Sequence, residues 1–254
     1  MSALEDQRKL WDQLAEYGAE RSVLDPGDDR GLKNAYIRFT VTRKLAEVFG
    51  GGGHPGTLLD FGCGSGRNSG FLSQMGNRVI GLDISAELLS LTIRDNPESV
   101  LFMQYDGNSI PLQDDVIDGG FTNGVLICLT SRELVEQALR ELFRVLKPGG
   151  RMMFIEQVRR RRRILFGGTK VQRTRSEYMG LFGDAGFTVI GKNVIRRGHF
   201  PLVYAIRYGL VPLRMLPWIA KLEAFLGACF EQAYFDYAVT AFICEKPRYR
   251  RSDD

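Results

Sequence analysis

The chain has 254 residues, of which 44% are hydrophobic and 25% charged, with a formal net charge of +4. That balance excludes a disordered or fibrous chain, and the length suits one α/β domain with a sizeable core. The four cysteines, Cys63, Cys128, Cys229 and Cys244, lie far apart with only His54 and His199 beside them as soft ligands. This excludes a paired-cysteine zinc site or a disulfide scaffold and leads us to expect no metal and a reducing, cytoplasmic compartment. No leader-like apolar run opens the sequence, and no uncharged stretch reaches the ~18 to 20 residues that span a bilayer.

In chain order, Leu4, Leu10, Trp11, Leu14, Ala15 and Tyr17 recur at helical spacing among charges, predicting an amphipathic helix over 4–19. A break at Leu24 to Asp29 precedes a second predicted helix, Leu32 to Phe49, ended by Gly50 to Gly53 and Pro55. Both helices are expected to cap the glycine-rich segment that begins at Leu58; Trp11 and Tyr17 suit core packing at least as well as ligand contact.

The run Leu58-Leu59-Asp60-Phe61-Gly62-Cys63-Gly64-Ser65-Gly66-Arg67 takes a short apolar strand through three alternate glycines into a helix. Residues without Cβ permit positive φ and close approach of a ligand to the backbone, so the turn reads as a nucleotide-type cradle. A glycine turn is also ordinary punctuation, and its surroundings must decide. A helix from about Asn68 to Gln74 leads to the strand Arg78 to Ile84, which carries Asp83 about 20 residues beyond the glycines, where dinucleotide-like folds hold a ribose diol. Ser85 can cap the next helix, and Val100 to Tyr105 is a third strand ending at Asp106-Gly107-Asn108.

A fourth strand, Val116 to Phe121, opens into Thr122-Asn123-Gly124; an amphipathic helix over Ser131 to Leu146 is stopped by Lys147-Pro148-Gly149-Gly150; Arg151 to Ile155 is a fifth strand. Such alternation predicts βαβ units and a parallel sheet with ligands at the carboxyl ends of its strands. Five consecutive arginines, Arg159 to Arg163, come next; then a helix from about Ser176 to Ala185, a strand at 186–190, a proline-interrupted apolar stretch from His199 to Phe230, a last strand at Tyr237 to Cys244 and a polar tail.

Four stretches together resemble the class I S-adenosylmethionine-dependent methyltransferases, in particular the small-molecule, methyltransferase type 11-like branch. They are Leu58 to Gly66, Gly81 to Ser85, Asp106 to Leu112, and Leu142 to Gly150. The likeness covers about 56–195 and resumes at the final strand. It implies a Rossmann-like, seven-stranded, mostly parallel sheet with helices on both faces and the last strand antiparallel. The chain then reads as one domain: an N-terminal helical cap over 1–50, a cofactor-binding core over 56–195 and a final strand at 237–246, with the excursion over 196–236, longer than in simpler members of the family, read as a helical lid insertion that shapes the acceptor pocket with the cap.

The resemblance further implies S-adenosyl-L-methionine as cofactor. Gly62, Cys63, Gly64 and Gly66 would pass beside its methionine and ribose portions, and Asp60 would anchor the loop or the ammonium group. Asp83 would hold the ribose hydroxyls, with Ile84 on the adenine face, Asp106 and Gly107 at the adenine edge, and Asn123 at the methyl-transfer site.

The expected reaction is in-line methyl transfer to a small-molecule, glycan or lipid-linked acceptor, at oxygen. If the acceptor must lose a proton, His199 and Glu156 are the candidate bases; an ionised acceptor needs none. Arg159, Arg160 and Arg163 are candidates for clamping an anionic acceptor, although such a run equally suits a solvated loop. Nucleic acid is the less favoured partner. Arg207, Arg214 and Lys221, each seven apart, suggest peripheral contact at the inner membrane face. Three alternatives remain open: a non-catalytic regulatory protein that binds the cofactor, an RNA methyltransferase using the arginine block, and a nicotinamide oxidoreductase.

Overall fold

The computed structural model describes residues 3–50, 56–95, 100–229 and 237–248. The expected connector at 51–55, the end of the insertion at 230–236 and the tail beyond 248 lie outside the described residues. The N-terminal segment forms α1 (Ala3–Leu14), a 3₁₀ turn and α2 (Gly18–Arg21), and then α3 (Leu32–Phe49). The core runs β1 (Thr57–Phe61), α4 (Arg67–Gln74), β2 (Arg78–Asp83), α5 (Ala86–Asp95), β3 (Val100–Gln104), β4 (Ile117–Asn123), α6 (Arg132–Val145) and β5 (Leu146–Arg159). After it come β6 (Arg163–Leu165), β7 (Lys170–Thr174), α7 (Arg175–Asp184), β8 (Thr188–Arg197), α8 (Pro201–Arg207), α9 (Leu216–Cys229) and β9 (Ala238–Glu245).

The sheet has nine strands rather than the seven expected. β3, β2, β1, β4 and β5 lie side by side and parallel; β9 then runs antiparallel between β5 and β8. The two additional strands, β6 and β7, follow the arginine block. β5 continues past Ile155 to Arg159, where Val158 and Arg159 pair with Arg173 and Thr174 of β7, and β6 folds back on β7 as a hairpin. The arginine run itself turns the chain: Arg159 ends β5 and Arg163 opens β6, with positions 160–163 exposed while Val171, Gln172 and Arg173 of β7 are buried.

Side chains alternate across the sheet with a period of two, which assigns them to two cores. Met152 and Phe154 of β5 join Leu59, Phe242, Leu139 and Phe182 on one face. Met153 and Ile155 join Leu58, Phe121, Leu45 and Leu72 on the other. A third cluster lies outside the sheet: Phe200, Val203, Ile206, Leu216 and Ile219 of the insertion pack around Tyr36 of α3.

Two of the stretches that carry the resemblance touch each other. Arg144 of α6 donates to the carbonyls of Ile110 and Leu112 at 2.9 and 2.8 Å, and Glu141 accepts from the Ile110 N–H at 2.8 Å. The Lys147 to Gly150 turn, with Gly149 at φ +81°, receives the end of β9: its Gly149 N–H donates to Lys246 O at 2.7 Å.

Candidate active site

The cradle is built by backbone geometry first. Gly62 sits at φ +78° and Gly64 at φ +54°, a region that costs any residue with a Cβ. A Cβ on Gly62 would also clash with a Val125 methyl, and one on Gly64 would lie 2.7 Å from Val23, so these glycines admit neighbouring side chains as well as the turn. The N–H groups of Gly62 and Cys63 donate to Leu82 O, which locks the loop to the end of β2.

Asp83 organises the loop. One carboxylate oxygen accepts from the Gly64 N–H at 2.8 Å and the other from the Ser85 N–H at 2.9 Å. Ser85 in turn caps α5 by accepting from the Leu88 N–H at 3.1 Å and donates to Asp12 of the N-terminal helix at 2.6 Å. Burial raises the carboxyl of Asp83 above its ordinary range, opposed by these backbone donors. Asp60 lies behind the loop, accepting from Ser69 Oγ at 2.6 Å; burial and then the nearby Asp83 charge push it up to about 7.

One cavity of about 110 Å³, open on one side, joins these parts. Gly62, Gly64, Asp83, Ile84, Gly107 and Asn123 line it, together with Leu4, Gln7 and Trp11 of α1 and Val23 beyond it. Asp83 is the sole charged residue among the lining side chains, the remainder being mostly apolar. Asp60, Cys63 and Gly66 support the loop from outside the cavity. Asp106 is exposed: its carboxylate accepts from the Asn108 and Ser109 N–H groups at 2.7 and 3.0 Å, which hold it below the usual range, so it closes its own turn and leaves Gly107 at the cavity.

Neither candidate base reaches the cavity. Glu156 is fully buried in β5, where it accepts from the Leu126 and Ile127 N–H groups at 2.9 and 3.1 Å. Arg173 donates to the Leu126 and Leu129 carbonyls at 2.6 Å each, so the two side chains clamp the loop after β4 by its backbone. Burial raises Glu156 to about 7 despite those donors. His199 stands by the insertion, 2.9 Å from the Tyr204 hydroxyl.

The arginine candidates also lie outside the cavity. Arg159 donates to Gln172 across the hairpin, while Arg160 and Arg163 are exposed. The described residues of the insertion expected as a lid contribute none of the lining: they are drawn instead onto α3 by the third cluster.

The α1 stripe Leu4, Gln7 and Trp11 was within reach of the sequence as an i, i+3, i+7 pattern. Gln7 latches this roof to the hairpin by donating to Thr169 O at 2.8 Å, and Lys170 lies 5.7 Å from the Trp11 ring centroid. Tyr105 and Cys128, also on the cavity wall, carried no pattern. Burial raises both, the Cys128 thiol to about 12, which keeps them protonated at neutral pH.

Residues 59–154 match the family described as "Methyltransferase domain". A demethylmenaquinone methyltransferase of Clavibacter sepedonicus is 31% identical over 152 residues, 58% of this chain and 56% of its own length. An 18S rRNA (guanine-N(7))-methyltransferase of Arabidopsis thaliana is 36% identical over 110 residues, 40% of this chain and 38% of its own. The chain thus spans about half or less of these curated relatives. The structure of a geranyl diphosphate C-methyltransferase from Streptomyces coelicolor A3(2) superposes with a TM-score of 0.67 at 16% identity, over 97% of this chain and 98% of that one, a likeness of fold. With the glycine loop, the β2 acid and the sheet order in place, residues 59–154 are a methyltransferase domain, and the chain resembles the class I S-adenosylmethionine-dependent methyltransferases.

Proposed function

We propose that the chain binds S-adenosyl-L-methionine and transfers its methyl group to a small, mostly apolar acceptor whose reacting oxygen is already ionised, such as a carboxylate or phenolate. The observation that carries this reading is a cavity whose lining bears a single charge, Asp83, at the lip of the glycine loop. A lone carboxylate in apolar walls suits a cationic ligand with a ribose diol.

When bound, the cofactor supplies a methyl group on a positively charged sulfur, so displacement needs alignment more than acid or base. Asp83 would hold the ribose hydroxyls, the backbone at Gly62, Gly64 and Gly107 would leave room for the remainder, and Asn123 would face the transfer site. The roof of Leu4, Gln7 and Trp11 would exclude water. An ionised acceptor fits because Tyr105 and Cys128 are protonated at neutral pH, and His199 and Glu156 are engaged elsewhere.

Calorimetry with S-adenosylhomocysteine and with NAD tests the cofactor, and Asp83→Ala should weaken homocysteine-adduct binding by roughly 100-fold, in line with losing hydrogen bonds to a charged group. Binding of NAD alone, or an unchanged affinity in the variant, would overturn the assignment. Labelled-methyl transfer into lipid and aqueous extract fractions then tests the acceptor. Label in RNA would favour the second reading, supported by the exposed arginines at 160–163, and tight binding with no transfer to any fraction would point to a regulatory protein.

A further inference from the structure

The outward side of the insertion is unlike the rest of the surface. Large apolar side chains are exposed in close succession: Tyr208, Leu210 (76%), Leu213, Trp218 (65%), Leu222 and Phe225 (65%). Scattered exposed apolar residues are ordinary, but a concentration of them in one short segment marks an interaction surface. α9 shows the arrangement best. Ile219, Ala220 and Glu223 are buried, while Trp218, Leu222 and Phe225, at i, i+4 and i+7, share the opposite side with Lys221. The helix is therefore apolar on both sides, and only one side has a partner among the described residues.

Charge selects the occupant. From His199 to Leu226 the sole acid is Glu223, buried and held by the Tyr36 hydroxyl and the Arg197 N–H. Arg207 is tied inward to Gly27 O at 2.7 Å, whereas Arg214 and Lys221 are exposed, Lys221 5.3 Å from the Trp218 ring centroid. A second copy placed face to face would set these bases against each other with no exposed acid of the segment to receive them. Aromatic and aliphatic side chains edged by bases match the boundary of a bilayer instead. No helix among the described residues is long and apolar enough to cross a membrane, so the contact would be peripheral.

We infer that the face formed by the 208–215 loop and α9 docks on an anionic lipid bilayer, with Trp218 and Phe225 entering the interface and Arg214 and Lys221 at the level of the lipid phosphates. None of these residues lines the cavity, so the inference stands apart from the proposed activity.

The test is flotation of the full chain with vesicles of phosphatidylcholine alone and with 30% (about one lipid in three) phosphatidylglycerol. Binding at least tenfold stronger to the anionic vesicles is expected, with a blue shift of tryptophan emission. Trp218→Ser with Phe225→Ser, and separately Arg214→Glu with Lys221→Glu, should each reduce it at least tenfold while the far-ultraviolet dichroism and unfolding midpoint stay unchanged. Equal partition into both vesicle types, binding undiminished in either variant, or a lipid-free dimer dispersed by the apolar pair would overturn the inference.

Discussion

Two segments flank the sheet, the N-terminal helix α1 and the insertion carrying α8 and α9, and the same pocket-forming task was expected of both. The structure separates them. α1 presents one stripe, Leu4, Gln7 and Trp11, to the cavity and is fixed by directed polar contacts: Gln7 to Thr169 O, and Asp12 to Ser85, which is itself bonded to Asp83. The insertion is attached by apolar burial around Tyr36, and none of its described residues lines the cavity. Apolar content thus predicts that a segment packs against something. Where it packs depends on the few polar groups that fix its direction.

Under that division, stability and ligand binding should come apart on mutation. Glu156→Ala should have the largest effect, about 3 to 5 kcal/mol of unfolding free energy, because two buried N–H groups lose their acceptor and Arg173 loses its counter-charge; urea denaturation measures it. Ile219→Ala should cost about 3 kcal/mol by leaving a cavity between α9 and α3, with affinity for S-adenosylhomocysteine unchanged by calorimetry. An affinity loss of tenfold or more there would return the insertion to the pocket. Trp11→Ala should do the reverse, weakening that affinity by about tenfold, or 1.4 kcal/mol, with a smaller change in the urea midpoint.

Asp60 gives a finer test, because it supports the cradle from behind. Its folded pKa of about 7 lies above the usual carboxylate range, so the folded state holds a proton that the unfolded chain has released. Its contribution therefore falls as pH rises from about 4 to about 7 and is level above that. Asp60→Asn should remove this slope, so that the variant gains about 2 to 3 kcal/mol on the wild type between pH 5 and pH 8 in parallel denaturation series. A constant difference across that range would mean that Asp60 is ionised throughout.

The cradle was legible in the sequence because its signals are local. Three alternate glycines, an acid at the end of the next strand, and Ser85 as a helix cap each act within a few residues; Ser85 accepts from the Leu88 N–H at 3.1 Å as an N-cap should. The clamp of Glu156 and Arg173 was not legible, since its partners are backbone groups of a loop tens of residues distant in the chain, and a backbone group has no letter. The placement of the arginine block was not legible for a related reason. Its charge suggested an anion clamp, while the strand pairing that places it depends on Val171 to Arg173 opposite.

The position of β9 bears on how the molecule is made. This strand fills the slot between β5 and β8, pairing along its whole length with β5 from Ala238 opposite Val158 to Glu245 opposite Arg151. A chain emerging from the ribosome would therefore carry two unpaired strand edges until its 245th residue is free. Long-range closure of this kind is slow, and open edges recruit other chains. Nascent chains halted just before residue 238 should bind strand-capturing chaperones that release the longer chain, which makes the pairing of β9 the step that commits the sheet to its native form.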